Sequence, residues 1–201
     1  MKSPFLCSPA VLLLLTRIAC GQGTFLYDQQ SSDESRYGEA AAGIQVNQLI
    51  GQSFTPSLTA VGFIRLQLYD LNPGNGMGAT LYINLRTTSI SGPIFDSSAL
   101  VFLPDAAPGL PSFVDFFFTT PVSVTQNTTY YFQPVVQSGD VILIGRFIQG
   151  SDYAGGTDYL KGLPGTDDLW FREGIIVPEP SSLALLLLGC GLFLSRNHFL
   201  R

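Results

Sequence analysis

Short runs in which apolar and polar side chains alternate, separated by glycine and proline, dominate the chain between residues 52 and 147. In 64–69 and 80–86 the aliphatic residues occupy every second position, which places them on one face of an extended strand. Many short strands with a turn signal in each gap favour an antiparallel sheet structure over a parallel sheet with crossover helices. We therefore predict an all-β fold, an antiparallel β-sandwich over residues 44–176. Further strands are predicted over residues 52–55, 113–118, 129–136 and 141–147.

The segment ahead of this domain, residues 22–43, carries weaker signals. We predict a partly flexible lead-in there, in which 31–42 forms either a short helix, because it contains three alanines, or a polar loop. Within the domain, Pro134 lies inside the strongest strand run. Because proline has no backbone N–H, we expect an edge strand or a bulge at that residue.

The chain is 46% hydrophobic but only 12% charged, and part of this apolar excess lies at the N-terminus. A basic residue, an aliphatic run and several small residues follow one another there. That order is typical of a secretory signal peptide over residues 1–21, with signal peptidase cutting between Gly21 and Gln22. A lipoprotein signal acylated at Cys20 is the lesser alternative, because Arg17 occupies a position where such signals have an aliphatic residue.

The C-terminus carries a second apolar segment, a leucine-rich run over 183–194, followed by a basic tail over 195–201. As a helix this run spans about 18 Å, less than the roughly 30 Å hydrocarbon core of a bilayer. Local thinning of the bilayer and the flanking residues compensate for such a mismatch. We therefore predict a single C-terminal transmembrane helix whose basic tail stays on the cytoplasmic side.

The C-terminal residues 177–201 also carry an ordered set of motifs. Pro178, Glu179 and Pro180 come first, and a Ser-Ser spacer, the apolar helix and the basic tail follow. This order resembles the PEP-CTERM sorting signal of exported bacterial proteins. The resemblance implies processing by an exosortase, a membrane transpeptidase that cuts near the tripeptide and passes the protein to the cell surface or the extracellular polysaccharide. A plain tail anchor without sorting remains the alternative.

The central region, from residue 52 to 136, is similar in its element order to the jelly-roll modules that often precede such anchors. A Gln-Ser-Phe-Thr strand opens it, and a Leu-Tyr-Ile-Asn-Leu strand and a Thr-Thr-Tyr-Tyr-Phe strand follow. The resemblance implies a jelly-roll-like sandwich, and a fold of this kind says little about function.

The residues that most often carry catalysis are confined to the two ends. The three cysteines are Cys7, Cys20 and Cys190, and the one histidine is His198. Residues 22–177 therefore lack the groups needed for cysteine nucleophiles, histidine triads and zinc sites built from His or Cys. The chain is also acidic, with a net charge of −5, which disfavours nucleic-acid binding. We predict a protein that is not an enzyme and has no obligatory cofactor.

Aromatic and acidic side chains are the remaining candidates for a site. Tyr69, Tyr82 and Trp170 could form a flat platform that stacks on sugar rings, although a structural role for the aromatic residues is the alternative. Asp152 and Asp158 are weak candidates for calcium, because hard oxygen ligands in glycine-rich loops suit that ion. Further residues considered for calcium binding or for carboxylate catalysis are Asp70, Asn72, Asn75 and Asp115.

Together these features predict an exported cell-surface or extracellular-matrix protein, non-catalytic and structural or associated with exopolysaccharide. Signal peptidase and exosortase would be its processing partners, and the membrane would hold its C-terminal helix before processing. A carbohydrate-active enzyme or a calcium-stabilised carbohydrate-binding module on the same fold is the alternative.

Overall fold

The computed structural model describes residues 23–107, 109–148 and 152–178. Its main compact unit is 25–175, and the other described residues, 23–24 and 176–178, belong to a second unit. The described residues form two antiparallel sheets and no helix, which confirms the predicted all-β fold and its antiparallel sandwich.

Sheet A contains β1 (Thr24–Gln30), β2 (Ala40–Gly43), β4 (Ala60–Asp70), β8 (Ser112–Ser123), β10 (Ile142–Phe147), β13 (Asp168–Leu169) and β14 (Phe171–Val177). Sheet B contains β3 (Gly51–Phe54), β5 (Ala79–Arg86), β6 (Ile94–Ser97), β7 (Val101–Leu103), β9 (Tyr130–Gly139), β11 (Asp158–Leu160) and β12 (Leu163–Pro164).

The core lies between the two sheets and is built from the aliphatic faces that the alternation predicts. Ile64 and Leu66 of β4 and Ile83 of β5 are fully buried in one apolar cluster. The rings of Phe132 in sheet B and Phe171 in sheet A lie 5.3 Å apart. Because these contacts join the inner faces of both sheets, they are the packing that holds the sandwich together.

Pro134 lies inside β9, opposite Ile83 of β5. On its other side β9 pairs with β3 only over residues 130–132. The Pro134 carbonyl accepts a hydrogen bond from Gln48 Nε2 instead of from a strand. At Pro134, β9 therefore has no neighbouring strand on one side. A sheet tolerates a residue without a backbone N–H at such a position.

The segment predicted as a lead-in is part of the sheet. β1 pairs with β14, and β2 pairs with β10 in the register Ala40↔Arg146 to Gly43↔Leu143. The three alanines considered for a helix form this edge strand, because pairing with a neighbouring strand outweighs a weak helix propensity. Residues 31–39 between β1 and β2 form a segment of turns and bends that we call the strap.

The strap contacts sheet A through Glu34, Arg36 and Gly38, among other residues. Glu34 forms ion pairs with Arg65 on β4, at 2.6 Å, and with Arg172 on β14, at 2.5 Å. The carbonyl of Arg36 accepts a hydrogen bond of 2.9 Å from the Trp170 indole N–H. The amide of Gly38 donates to Gln67 Oε1 at 2.8 Å.

Glycine is required where the strap approaches the sheet. A Cβ atom on Gly38 would lie 2.7 Å from the backbone nitrogen of Arg146, and one on Gly145 would lie 2.1 Å from Gln67 Oε1. Both distances are shorter than a carbon atom tolerates, so the strap and Gln67 can occupy these positions only above residues without a side chain.

Trp170 anchors the strap, and its truncation tests this role. The indole is fully buried and its ring lies 4.7 Å from that of Phe113. We expect Trp170→Ala to lower the free energy of unfolding by about 3–5 kcal/mol, because a large cavity and an unpaired carbonyl remain. Tyr82→Ala, which removes a half-exposed ring of sheet B, should cost about 1 kcal/mol or less. Urea unfolding followed by circular dichroism compares the two, and equal losses would contradict the anchoring role.

Candidate functional site

The outer face of sheet B carries a group of aromatic and polar side chains, of which the tyrosines and one arginine are partly exposed. On β5 the residues Ala79, Leu81, Ile83 and Leu85 point into the core, so Tyr82, Asn84 and Arg86 point outward. By the same alternation Tyr131 and Gln133 of β9 and Tyr159 of β11 point outward. We call this surface the tyrosine face, defined by Tyr82, Asn84, Arg86, Tyr131, Gln133 and Tyr159.

A network of amide and guanidinium groups fixes the centre of the tyrosine face. Gln133 Oε1 accepts hydrogen bonds from Arg86 Nε at 2.9 Å and from Arg86 Nη2 at 2.7 Å. Gln133 Nε2 donates to Gln48 Oε1 at 2.6 Å, and Asn84 Oδ1 accepts from Ser97 at 2.7 Å. Because Asn84 and Gln133 are almost fully buried, these bonds satisfy groups that would otherwise be costly to desolvate.

Two tyrosines border this network. The Tyr131 and Tyr159 rings meet edge to face with their centroids 5.7 Å apart. Arg86 is the cross-strand partner of Tyr131, so the guanidinium lies next to the tyrosine pair on the same face. The arrangement places ring surface beside fixed hydrogen-bonding groups, which suits a ligand with both apolar and polar parts.

The predicted platform of Tyr69, Tyr82 and Trp170 is not assembled as one surface. Tyr69 lies on β4 in sheet A, whereas Tyr82 lies on β5 in sheet B. Trp170 is fully buried beneath the strap and offers no stacking face. Of the three residues, Tyr82 alone belongs to the tyrosine face. The sequence signal that marks Tyr131 and Tyr159 is their alternation with the core residues Phe132 and Leu160.

The carboxylates considered for catalysis already have partners. Asp115 accepts two hydrogen bonds from Arg65, from Nε at 2.7 Å and from Nη2 at 2.8 Å. Asp70 accepts from the backbone amides of Asn72 and Ala106. Asp70 therefore organises the turn after β4, and Asp115 contributes to the ion pairs beneath the strap.

The calcium candidates are likewise engaged by protein groups. Asp152 pairs with Arg36 at 2.9 Å and Asp158 pairs with Arg146 at 2.6 Å. Asn72 and Asn75 direct their side-chain amides to the carboxylate of Asp140, and these bonds lower the pKa of Asp140. Within the described ranges, no group of three or more His, Cys, Asp or Glu side chains is arranged to hold a metal ion.

Sequence reasoning missed an acid pair inside the sandwich. Glu173 of β14 lies opposite Ile64, whose side chain is in the core, so the Glu173 carboxyl also points inward and is fully buried. Burial, together with the negative charge of Asp28, raises the pKa of Glu173 to about 9. Glu173 is therefore neutral at neutral pH.

Asp28, on β1, is the charged member of this pair. Its carboxylate accepts hydrogen bonds from the amides of Ser57 at 2.7 Å and Leu58 at 2.8 Å, and from the Ser57 hydroxyl. Burial acts to raise the pKa of Asp28, but these hydrogen bonds outweigh it and hold that pKa below its usual value. Tyr153, whose pKa burial raises to about 12, lies near the pair and donates its hydroxyl proton to Gln29 Oε1 at 3.0 Å.

Several predicted features lie outside the described residues. These are the signal peptide with its cleavage point at Gly21 and Gln22, the residues Glu179 and Pro180, the helix over 183–194 and the tail over 195–201. Pro178 is described and lies in coil directly after β14. Among the described residues, no helix has the length and apolar character needed to cross a bilayer.

Comparison with family models finds no match for this chain, and no curated protein matches it either.

The acid pair predicts an unusual dependence of stability on pH. The unfolded chain releases the Glu173 proton near the ordinary carboxyl pKa of 4.5, whereas the folded chain keeps it up to about pH 9. Between these values the folded state holds more protons than the unfolded state, so stability falls as pH rises. This group contributes a slope of at most about 1.4 kcal/mol per pH unit.

Replacing Glu173 by Gln should remove that slope. We expect Glu173→Gln and the parent protein to have similar urea midpoints at pH 4.5 and below, and the variant to be increasingly more stable toward pH 8.5. Glu39→Gln, at an exposed carboxylate, serves as the matched control and should follow the parent profile. Parallel profiles for the parent and Glu173→Gln would contradict the neutral buried acid.

Chelation tests the calcium hypothesis. Because guanidinium groups pair with Asp152 and with Oδ2 of Asp158, we expect the Tm to be the same in EDTA and in millimolar calcium. Differential scanning calorimetry makes the comparison, with magnesium as the control ion. A clear calcium-specific rise in Tm would instead establish a calcium-stabilised module.

Proposed function

We propose that this protein is an exported, non-catalytic β-sandwich of the cell surface or extracellular matrix. In this proposal a PEP-CTERM signal sorts the chain and the sandwich associates with extracellular polysaccharide. The sorting part of this proposal is supported by the order of motifs at the C-terminus: Pro178-Glu179-Pro180, then a spacer, an apolar run and a basic tail. The sandwich itself would be a jelly-roll-like module of the kind that precedes such signals.

The steps of export follow from the two ends of the chain. Signal peptidase would remove residues 1–21, and the apolar run over 183–194 would then hold the chain in the membrane. An exosortase would cut near the tripeptide and release the sandwich to the surface or to the matrix polysaccharide. Because β14 ends at Val177, one residue before Pro178, a cut at the tripeptide would leave every described strand on the released side.

The chemistry of the described domain supports a passive role. The strand-borne carboxylates that could serve as acid and base catalysts are held by Arg65 and by backbone amides. A glycosidase needs two carboxyl groups facing each other across a substrate cleft, and in the Asp28–Glu173 pair the Glu173 carboxyl is fully buried. The accessible chemistry is that of the tyrosine face, where rings and hydrogen-bonding groups favour binding to sugars.

Alanine replacement of Pro178, Glu179 and Pro180 together tests the sorting half. In a host with an exosortase, we expect the parent chain to be shortened and released from the membrane, and the triple variant to stay uncut in the membrane fraction. Alanines at Ser181 and Ser182, in the adjacent spacer, are the matched control and should leave processing intact. Immunoblots of membrane and surface fractions measure the outcome, and normal cutting of the triple variant would refute the proposal.

A further inference from the structure

One cation of the tyrosine face lacks a counter-ion. The other four arginines of the described residues form ion pairs, since Arg36, Arg65, Arg146 and Arg172 each contact at least one carboxylate. Within the same ranges no ion pair involves Arg86. This is notable in a region that has fourteen acidic and six basic residues between positions 22 and 177.

The hydrogen bonds of Arg86 leave part of its guanidinium unused. Nε and Nη2 donate to Gln133 Oε1, and Nη1 donates to the carbonyl of Gly92 at 2.5 Å. Both acceptors are neutral, and three of the five N–H groups of an arginine are engaged in this way. The group keeps its positive charge, and two N–H groups remain for an acceptor from outside the described residues.

The neighbours of Arg86 indicate what kind of acceptor fits. On one side the cross-strand partner is Tyr131, which contacts Tyr159, and on the other side it is Ile94, which is 52% exposed. Thr87 follows Arg86 directly and opens a loop over 87–93 in which the exposed Ser89 and Ser91 hydroxyls lie 3.3 Å apart. A ring surface and a fixed cation therefore adjoin one another, and the loop that carries the two hydroxyls contacts the cation through the Gly92 carbonyl.

From this arrangement we infer that the tyrosine face binds an acidic sugar, a uronate residue of a polysaccharide. The inference rests on the proposed association with polysaccharide and names its chemical class. The sugar carboxylate forms an ion pair with the Arg86 guanidinium through N–H groups that Gln133 and Gly92 do not engage. The C–H face of the sugar ring packs on Tyr131, and the serine hydroxyls exchange hydrogen bonds with sugar hydroxyls.

The charge balance of the domain limits what else binds here. The net negative charge repels polyanions in general, so binding through bulk electrostatics is disfavoured. A local, uncompensated arginine beside tyrosine rings selects instead for a ligand that supplies one carboxylate together with a stacking surface. A short uronate oligosaccharide is therefore the appropriate probe.

The test is isothermal titration of the full chain, purified in a nonionic detergent, with trigalacturonate and with its carboxyl-reduced, neutral counterpart. We expect the acidic trisaccharide to bind at least tenfold more tightly, the size of effect of one charge-assisted hydrogen-bonded pair. This comparison uses the parent protein alone, so it does not depend on the folding of a variant. Equal affinity for the two probes, or binding of neither, would overturn the inference.

Variants then assign the contact. Arg86→Gln should abolish the preference for the acidic probe and leave binding of the neutral probe little changed, whereas Tyr131→Ala should weaken both. Arg36→Gln removes the same charge from the strap on the other sheet and is the matched control, expected to behave as the parent protein. If Arg86→Gln and Arg36→Gln lose affinity equally, long-range electrostatics explains binding and the inference fails.

The outcome is independent of sorting. If the tripeptide variant is processed normally while the acidic probe binds through Arg86, the sorting proposal fails and the binding site stands. If processing depends on the tripeptide but neither trisaccharide binds, the site fails and the sorting proposal stands.

Discussion

The two-sided burial of β4 is the constraint on which the rest of this structure depends. Its inner residues, such as Leu66, face the core, but Phe63 and Gln67 on its outer face are also fully buried. A single sandwich interface covers only one face of a sheet, so the outer face needs a separate cover. The strap, together with the rings of Phe25 and Tyr27, which meet Phe63 edge to face, supplies it.

This cover determines which surface remains for a partner. On the outer face of sheet A, aromatic residues pack beneath the strap, and Arg65 and Arg172 form ion pairs with Glu34. Arg172 also lies 3.3 Å from the centre of the Tyr27 ring, a cation–π contact that further closes this face. On the outer face of sheet B, Ile90 packs close to Gly51 of β3, whereas Tyr131 and Tyr159 stay partly exposed. Binding chemistry is therefore available on sheet B because sheet A uses the same residue types internally.

Prediction from sequence succeeds for the inner faces of the strands and fails for the covered outer face of sheet A. Alternation identifies the strands in 64–69 and 80–86, because the period of a strand is local information. It could not identify the role of Trp170, which is fully buried and donates a hydrogen bond to the carbonyl of Arg36, far away in the chain. A strand with one face in the core has its other face in solvent by default, and the pattern holds no signal that a distant loop will cover it.

The candidate site illustrates a similar limit for charged residues. Glu173 lies two residues after Phe171 and shares its inward face, so its burial was within reach of a pattern argument. Burial, and after it the charge of Asp28 on another strand, raises its pKa, and the sequence does not show that Asp28 lies nearby. Arg86 is visible in the sequence as an outward residue of β5. The sequence does not show that Arg86 lacks a counter-ion, because this depends on which carboxylates pair with the other arginines in the folded chain.

If Arg86 and Tyr131 recognise a uronate as inferred, one contact of this size gives weak affinity, and the setting of the protein decides whether weak affinity suffices. A matrix polysaccharide repeats its sugar units many times along one chain, and sorted proteins share one surface. When several copies engage one polymer, each binding event after the first occurs at a raised effective concentration. Under the proposed location in a matrix, avidity would then supply retention while each contact stays reversible, and one binding face on each sandwich would be enough.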